Sequence, residues 1–271
     1  MALFCRAALR YVPASGRPAM ADGIEVDITD GRSVDLPGWP VCGFELFTHE
    51  SLVTDWTDDE AVASVHHGEI EDLARKLSGA DVALVSSHIR RSPKDALRHQ
   101  QLSPITFVHS DFATGHDRVI RRNLQEGGET APALVRNGIS LSDVERARRL
   151  VILQFWRNLG PARMDYPLGF CDARTIRPEE TRAFPVTNYA GSGSNFDALG
   201  VMTPDDPSRH RWYAFPDLQR HEVVAFRTYD TDLVARGETF FTPHSAFRDP
   251  RVEVGKPART SIELRATCLW L

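Results

Sequence analysis

The last strand-like segment constrains the fold more than any other part of the chain. In TSIELRATCLW, residues 260–270, Ile262, Leu264, Ala266, Cys268 and Trp270 share one face, while Ser261, Glu263, Arg265 and Thr267 share the other. Successive side chains of a β-strand point to opposite sides, so this segment belongs to a sheet packed on one side and turned toward something polar on the other. Asp81–Ser86, Arg211–Phe215 and Glu222–Tyr229 are further strand-like stretches, and Pro, Gly and Asp turns separate the later ones. No regular strand-helix repeat accompanies them. The expected architecture is mainly β with flanking helices, an antiparallel barrel or sandwich rather than a doubly wound sheet.

Two helices are predicted to buttress it. Val62, Val65, Ile70, Leu73, Ala74 and Leu77 recur at three- and four-residue spacing between Asp58 and Leu77, and Gly79 stops the pattern. A second helix is expected from a capping box at Ser142–Glu145 through about Leu159, closed by Gly160-Pro161. Asn123 to Gly138, rich in Gly, Pro and polar residues, is expected to be a mobile loop near the site. The whole chain, 1–271, is expected to be one domain, with 1–50 a β-rich N-terminal extension and 80–271 containing the catalytic core.

Charge narrows the partners. With 37 acidic against 32 basic residues, a net charge of -5, a nucleic acid is not the expected partner and a small molecule is. Cys5, Cys42, Cys171 and Cys268 lie far apart and form no CxxC pair, which argues against a zinc knuckle or a disulfide framework. No stretch approaches the roughly 20 apolar residues of a membrane span, and the apolar segment before Arg10 is too broken for a secretory signal. A cytoplasmic protein without a membrane partner is expected.

One pair suggests metal chemistry. A short strand from Ile105 to His109 leads into His109-Ser-Asp111, and on extended backbone the pair shares a face with Cα atoms roughly 6.5 Å apart. The third ligand must come from elsewhere, and of ten histidines His244, in TPHSAFRDP, is the most suggestive. Two histidines and one carboxylate form a facial triad that binds non-haem Fe(II) and leaves positions open. Arg259, ahead of the final strand, can fork the distal carboxylate of a 2-oxoacid with Ser261 donating beside it, and Arg265, on the Ser261 face, is an alternative clamp.

The stretches DYPLGFCDART (165–175), HRWYAFP (210–216), HEVVAFRTYD (221–230), PHSAFRDP (243–250) and RTSIELR (259–265) resemble the CmcJ/AsaB-type hydroxylase/desaturase family of secondary metabolism, from about residue 40 onward. The resemblance implies a distorted double-stranded β-helix, or jelly roll, with Fe(II) on His109, Asp111 and His244, 2-oxoglutarate on Arg259 and Ser261, and O2 as co-reactant. It also implies a pocket wall at Arg211, Trp212 and Tyr213, and C–H abstraction leading to hydroxylation, desaturation or cyclisation of a small natural-product intermediate. Where relatives carry a hydroxyl- or glutamine-containing run after this motif, the present chain has Phe112-Ala-Thr-Gly-His116. Two other readings stay open: an Fe(II) oxygenase that needs no 2-oxoglutarate, and a non-catalytic β-barrel that binds a small molecule.

Overall fold

The alternating final strand lies inside a two-sheet sandwich. The computed structural model describes residues 2–13, 23–126 and 131–271. In chain order its elements are β1 (Leu3–Leu9), β2 (Ile24–Asp30), α1 (Trp39–Cys42), β3 (Phe44–Thr48), α2 (Asp59–Ser78), β4 (Val82–Arg91), α3 (Pro93–Arg98) and β5 (His109–Ser110). There follow α4 (His116–Glu126), α5 (Ala131–Asn137), α6 (Leu141–Arg146), β6 (Arg149–Asn158), β7 (Leu168–Cys171), β8 (Thr181–Val186) and β9 (Phe196–Val201). The chain ends with β10 (Trp212–Ala214), β11 (Glu222–Asp230), α7 (Thr231–Ala235), β12 (His244–Ala246) and β13 (Ser261–Trp270).

One sheet has the order β1-β2-β10-β7-β12-β5-β9-β8 and the other β3-β11-β6-β13-β4. Pairing is antiparallel except between β10 and β2. This is the expected mainly β architecture, a distorted jelly roll with helices on its flank. The N-terminal strands are built into it: β2 pairs with β10, and β3 pairs with β11 on the other sheet.

Helix α2 forms where the periodicity predicts it. Asp58 caps its start by accepting from the backbone N–H of Glu60 and Ala61, and Gly79 ends it in the left-handed region. Its buried face, Val62, Ile70 and Ala74, lies against Ala83 and Val85 of β4 and Ile262, Leu264 and Ala266 of β13, in one cluster with Val151, Leu153 and Phe155 of β6. Fully buried side chains of this kind each contribute about 1.5–3 kcal/mol. With that face of β13 covered by α2, Ser261, Glu263 and Arg265 face the interior between the sheets.

Three expectations fail here for local reasons. The predicted helix from Ser142 to Leu159 is instead the six-residue α6 followed by β6, a strand paired with both β11 and β13. The capping box exists, but one half-turn earlier: Asp143 N–H donates to Ser140 Oγ, and the Asp143 carboxylate accepts from Ser140 N–H. β6 escaped notice because it is covered on both faces, so RLVILQFWRN carries no polar-apolar alternation. The expected loop over 123–138 holds the end of α4 and all of α5, with 127–130 outside the described residues. The expected strand at 105–109 contracts to β5, two residues long.

Gly43 ties β3 to the strand that brings in His244. Its φ of +97° lies in the left-handed region, and a Cβ there would sit 2.3 Å from Thr242 Oγ1. That hydroxyl donates to the Gly43 carbonyl at 2.7 Å, two residues before His244. Gly43→Ala is expected to cost about 1–3 kcal/mol, read as a lower urea midpoint; an unchanged midpoint would show that the loop relaxes without penalty.

Candidate metal centre

The third ligand arrives by cross-strand pairing. His244 on β12 lies directly opposite His109 on β5, and directly opposed residues of an antiparallel pair project to the same face. The two imidazole centroids are 4.4 Å apart. Asp111, two residues after His109, completes a buried group of three whose ligand atoms all lie within 4.8 Å of one another, the only such group among the described residues.

Tautomers and charge favour a cation here. His109 Nδ1 lies 2.8 Å from the Phe107 carbonyl and His244 Nδ1 lies 3.0 Å from the Thr242 carbonyl, so each ring donates through Nδ1 and presents a bare Nε2. Those Nε2 atoms lie 3.8 and 3.7 Å from Asp111 Oδ1. Burial pushes His109 down to about 3, reinforced by His244, so its Nε2 lone pair is available at neutral pH. Burial alone would raise the Asp111 carboxyl, but Arg265 and then the two histidines outweigh it and hold it well below the usual range. Two imidazoles and a carboxylate are the donor set of an Fe(II) facial triad.

Beside the triad is a cavity of about 20 Å³ between the sheets, lined by Arg91, Gln154, Arg259 and Glu263 as well as the three ligands. Arg259 is 5% exposed and makes no ion pair among the described residues. Its backbone N–H donates to Asp165 Oδ1 at 2.9 Å, its Nη1 to the Tyr166 carbonyl at 3.3 Å, and its guanidinium stacks over Trp156 at 5.5 Å. Burial, with Arg91 nearby, lowers it to about 10. Arg259 Nε, Ser261 Oγ and Gln154 Oε1 are buried without a hydrogen-bond partner. Of these, Arg259 Nε and Ser261 Oγ are donors, and two orphaned donors, one of them on a buried cation, fit a carboxylate guest.

A second cavity, of about 380 Å³, opens on His109 and Asp111. Ile105, Phe107, Phe184, Val186, Phe196 and Ala198 give it an apolar wall. A third, of about 450 Å³, meets it at Tyr189, Phe196 and Arg265. These volumes suit small-molecule ligands.

The remaining expected site residues fall elsewhere. Arg265 donates to Asp111 Oδ2 through Nε at 3.0 Å and Nη2 at 2.7 Å, so it is committed to the metal carboxylate and is not a free clamp. Arg211, Trp212 and Tyr213 line neither the triad cavity nor the two larger cavities that meet there. Arg211 pairs with Asp172 at 3.0 Å, and Trp212 Nε1 donates to the Tyr11 hydroxyl, which contacts His210 Nδ1 at 3.1 Å. Tyr213 shares a face with His244, but Phe170 on β7 stands opposite both and separates them. Buried His210 and Trp212 thus tie β10 to Tyr11 of the N-terminal segment, while Arg211 is exposed and lines, with Trp212 and Tyr213, a separate cavity of about 290 Å³.

Sequence reasoning missed Arg91, Gln154, Phe107 and the His116 ring, which stacks on Phe112 at 3.7 Å. Gln154 fell inside the expected helix and Arg91 beyond the strand expected at 81–86, whereas both lie on strands, β6 and β4. Phe112 and His116 line the 450 Å³ cavity with Arg265.

The buried imidazoles make acid stability testable. Burial leads in holding His109 and His116 at about 3 and His49, His67 and His210 at about 4. An unfolded imidazole titrates near pH 6.5. Between pH 6.5 and about 4 the unfolded chain therefore takes up protons that the folded chain does not, and stability falls as pH falls. The metal-free urea midpoint is expected to drop steadily from pH 7 to 5; a flat profile would contradict neutral buried rings.

A double-stranded β-helix closed over two imidazoles and a carboxylate defines the non-haem iron, 2-oxoglutarate-dependent class of oxygenase. The model of the family described as "Oxidoreductase/YMDC permease-like domain" matches residues 14–269, and the chain belongs to that family. Relatives include an alpha-ketoglutarate-dependent dioxygenase, phiK, of Fungal sp., 28% identical over 97% of this chain and 95% of its own. The hydroxylase/desaturase efuI of Hormonema carpetanum is 27% identical over 84% of this chain and 77% of its own. The solved structure of the iron and alpha-ketoglutarate-dependent endoperoxidase NvfI shares the fold, with a TM-score of 0.71 and 20% identity over 99% of this chain and 98% of that one. The CmcJ/AsaB-type resemblance is borne out. No helix among the described residues is long and apolar enough to cross a membrane.

Proposed function

We propose that the chain oxidises an unactivated carbon of a small natural-product intermediate, with iron on His109, Asp111 and His244 and the distal carboxylate of 2-oxoglutarate on Arg259 and Ser261. The observation that carries this reading is the convergence of two Nε2 atoms and Asp111 Oδ1 beside a buried arginine whose Nε has no hydrogen-bond partner among the described residues. Iron and 2-oxoglutarate bound there would, with dioxygen, supply the oxidising power to abstract hydrogen from carbon, one oxygen atom going to succinate as carbon dioxide leaves and the other remaining for the substrate or water.

The side chains do the rest. Buried carbonyl-bound Nδ1 atoms hold each imidazole in one tautomer, and Asp111 supplies charge and geometry rather than acting as a base. The apolar wall of Phe107, Phe184 and Phe196 excludes water and orients a largely hydrocarbon substrate edge toward the ligands. Hydroxylation, desaturation and cyclisation share the same abstraction, and the orientation in this cavity selects among them. The reading places a single-domain enzyme in the cytoplasm, where reducing conditions keep iron ferrous.

Anaerobic addition of 2-oxoglutarate to Fe(II)-loaded protein tests the assignment by the metal-to-ligand charge-transfer band. Appearance of the band, then succinate on admitting oxygen, is expected. Oxygen consumption with no band and no succinate would favour an oxidase independent of 2-oxoglutarate, and ligand capture without iron uptake would favour a binding protein.

A further inference from the structure

The two oxygens of Asp111 face different partners. Oδ1 lies toward His109 and His244, while Oδ2 accepts both hydrogen bonds from Arg265. Arg265 lies in turn 3.5 Å from Glu263 Oε1, which accepts from Arg91 Nη2 at 3.0 Å. Arg91 also donates to the Tyr189 hydroxyl at 2.6 Å. Charges thus alternate through the interior from Asp111 to Arg265, Glu263 and Arg91. Arg265 sits in β13 opposite Gln154 of β6, within the sheet rather than on a loop. Burial alone would lower it, but Asp111 and Glu263 outweigh that and hold it charged.

We infer that Arg265 is a positioning residue that keeps Asp111 a one-oxygen ligand, and so preserves a coordination position for dioxygen. This rests on the metal assignment above. Two imidazole nitrogens and one carboxylate oxygen take three of six positions on Fe(II), and a 2-oxoacid bound through its keto and carboxylate oxygens takes two more. One position is left. A carboxylate bound through both oxygens would fill it. For Oδ2 to turn to the metal, both hydrogen bonds from Arg265 must break, leaving a half-buried guanidinium with the Phe112 ring and Glu263, 3.5 Å away, beside it. The bidentate grip of Arg265 therefore resists that rotation, and its place on a paired strand keeps the grip fixed.

Arg265→Met, of similar length and without donors, tests this with nitric oxide as the stand-in for dioxygen. Iron content, the 2-oxoglutarate charge-transfer titration and the electron paramagnetic resonance signal of the nitric oxide complex are measured together, none of which requires turnover. Iron and 2-oxoglutarate should bind within about threefold of wild type, whereas nitric oxide affinity should fall by about tenfold or more, a loss of the size seen when partners of metal ligands are removed. Arg265→Lys, which retains the cation and a donor, should recover part of it. Wild-type nitric oxide binding in Arg265→Met overturns the inference, and so does collapse of 2-oxoglutarate affinity with iron and nitric oxide retained, which would make Arg265 the clamp. If Arg265→Met does not fold, Glu263→Gln, which loosens Arg265 from one side, should lower nitric oxide affinity to a smaller extent, and no change there overturns it equally. Wild-type protein that takes up no iron overturns both this inference and the metal assignment, whereas wild type that loads normally isolates the failure to Arg265.

Discussion

Alanine in place of His244 is expected to abolish iron-dependent turnover, lowering succinate formation by about 10³-fold or more, the several kcal/mol that a catalytic metal supplies. His109→Ala and Asp111→Ala should behave alike. The three groups form a single buried cluster, and removing any one leaves two donors facing a position that needs three. The measurement pairs metal content with succinate formation, because a variant can retain some iron and still lose the geometry. His244 pairs with His109 across β12 and β5, so loss of folding must be checked separately by circular dichroism. Folded His244→Ala protein with wild-type iron content and turnover would remove that residue from the site.

Arg259→Met should separate cosubstrate from metal. Iron binding is expected to stay within a few-fold of wild type, while affinity for 2-oxoglutarate falls by about 100-fold or more, in line with the 2–5 kcal/mol lost when one partner of a buried charge pair is truncated. Stability gives an independent sign. Without cosubstrate Arg259 is a buried cation lowered to about 10, so the methionine variant should be as stable as wild type or more so. With 2-oxoglutarate at 100 times its dissociation constant, wild type should gain about 2.7 kcal/mol and the variant should gain almost none. A variant that is less stable without ligand and binds 2-oxoglutarate normally would show Arg259 to be a structural residue held by Trp156 and the Tyr166 carbonyl.

Contrasts between particular elements show what was legible in the residues. The final strand could be read because one of its faces meets α2 and the other meets the polar interior, so burial imprinted a two-residue alternation on TSIELRATCLW. Strand β6, its neighbour, could not be read, because Val151, Leu153 and Phe155 are buried in the same cluster as the α2 stripe while the other face also lies inside the molecule. Helix α2 has one buried stripe, and both of its ends are marked by the local chemistry of Asp58 and Gly79. The same contrast runs through the site. His109 and Asp111 are two apart on one chain segment, and the family-like motifs around His244 and Arg259 pointed to both. Arg91, Gln154 and the division of labour between Arg259 and Arg265 had no local signal.

By itself the sequence determined the periods and the chemistry: a sheet with one apolar face, a capped amphipathic helix, a histidine-carboxylate pair, and two arginines on or beside the last strand. Only the tertiary structure decided which groups meet. Strand register places His244 opposite His109 and Arg265 opposite Gln154, and burial leaves Arg259 Nε without a hydrogen-bond partner among the described residues while Arg265 grips Asp111. The physical reason is range. Alternation, helical periodicity and capping act within a few residues and leave their mark on composition, whereas register and the pairing of buried charges are settled between strands more than a hundred residues apart, where moving a strand by one position turns each inward side chain outward.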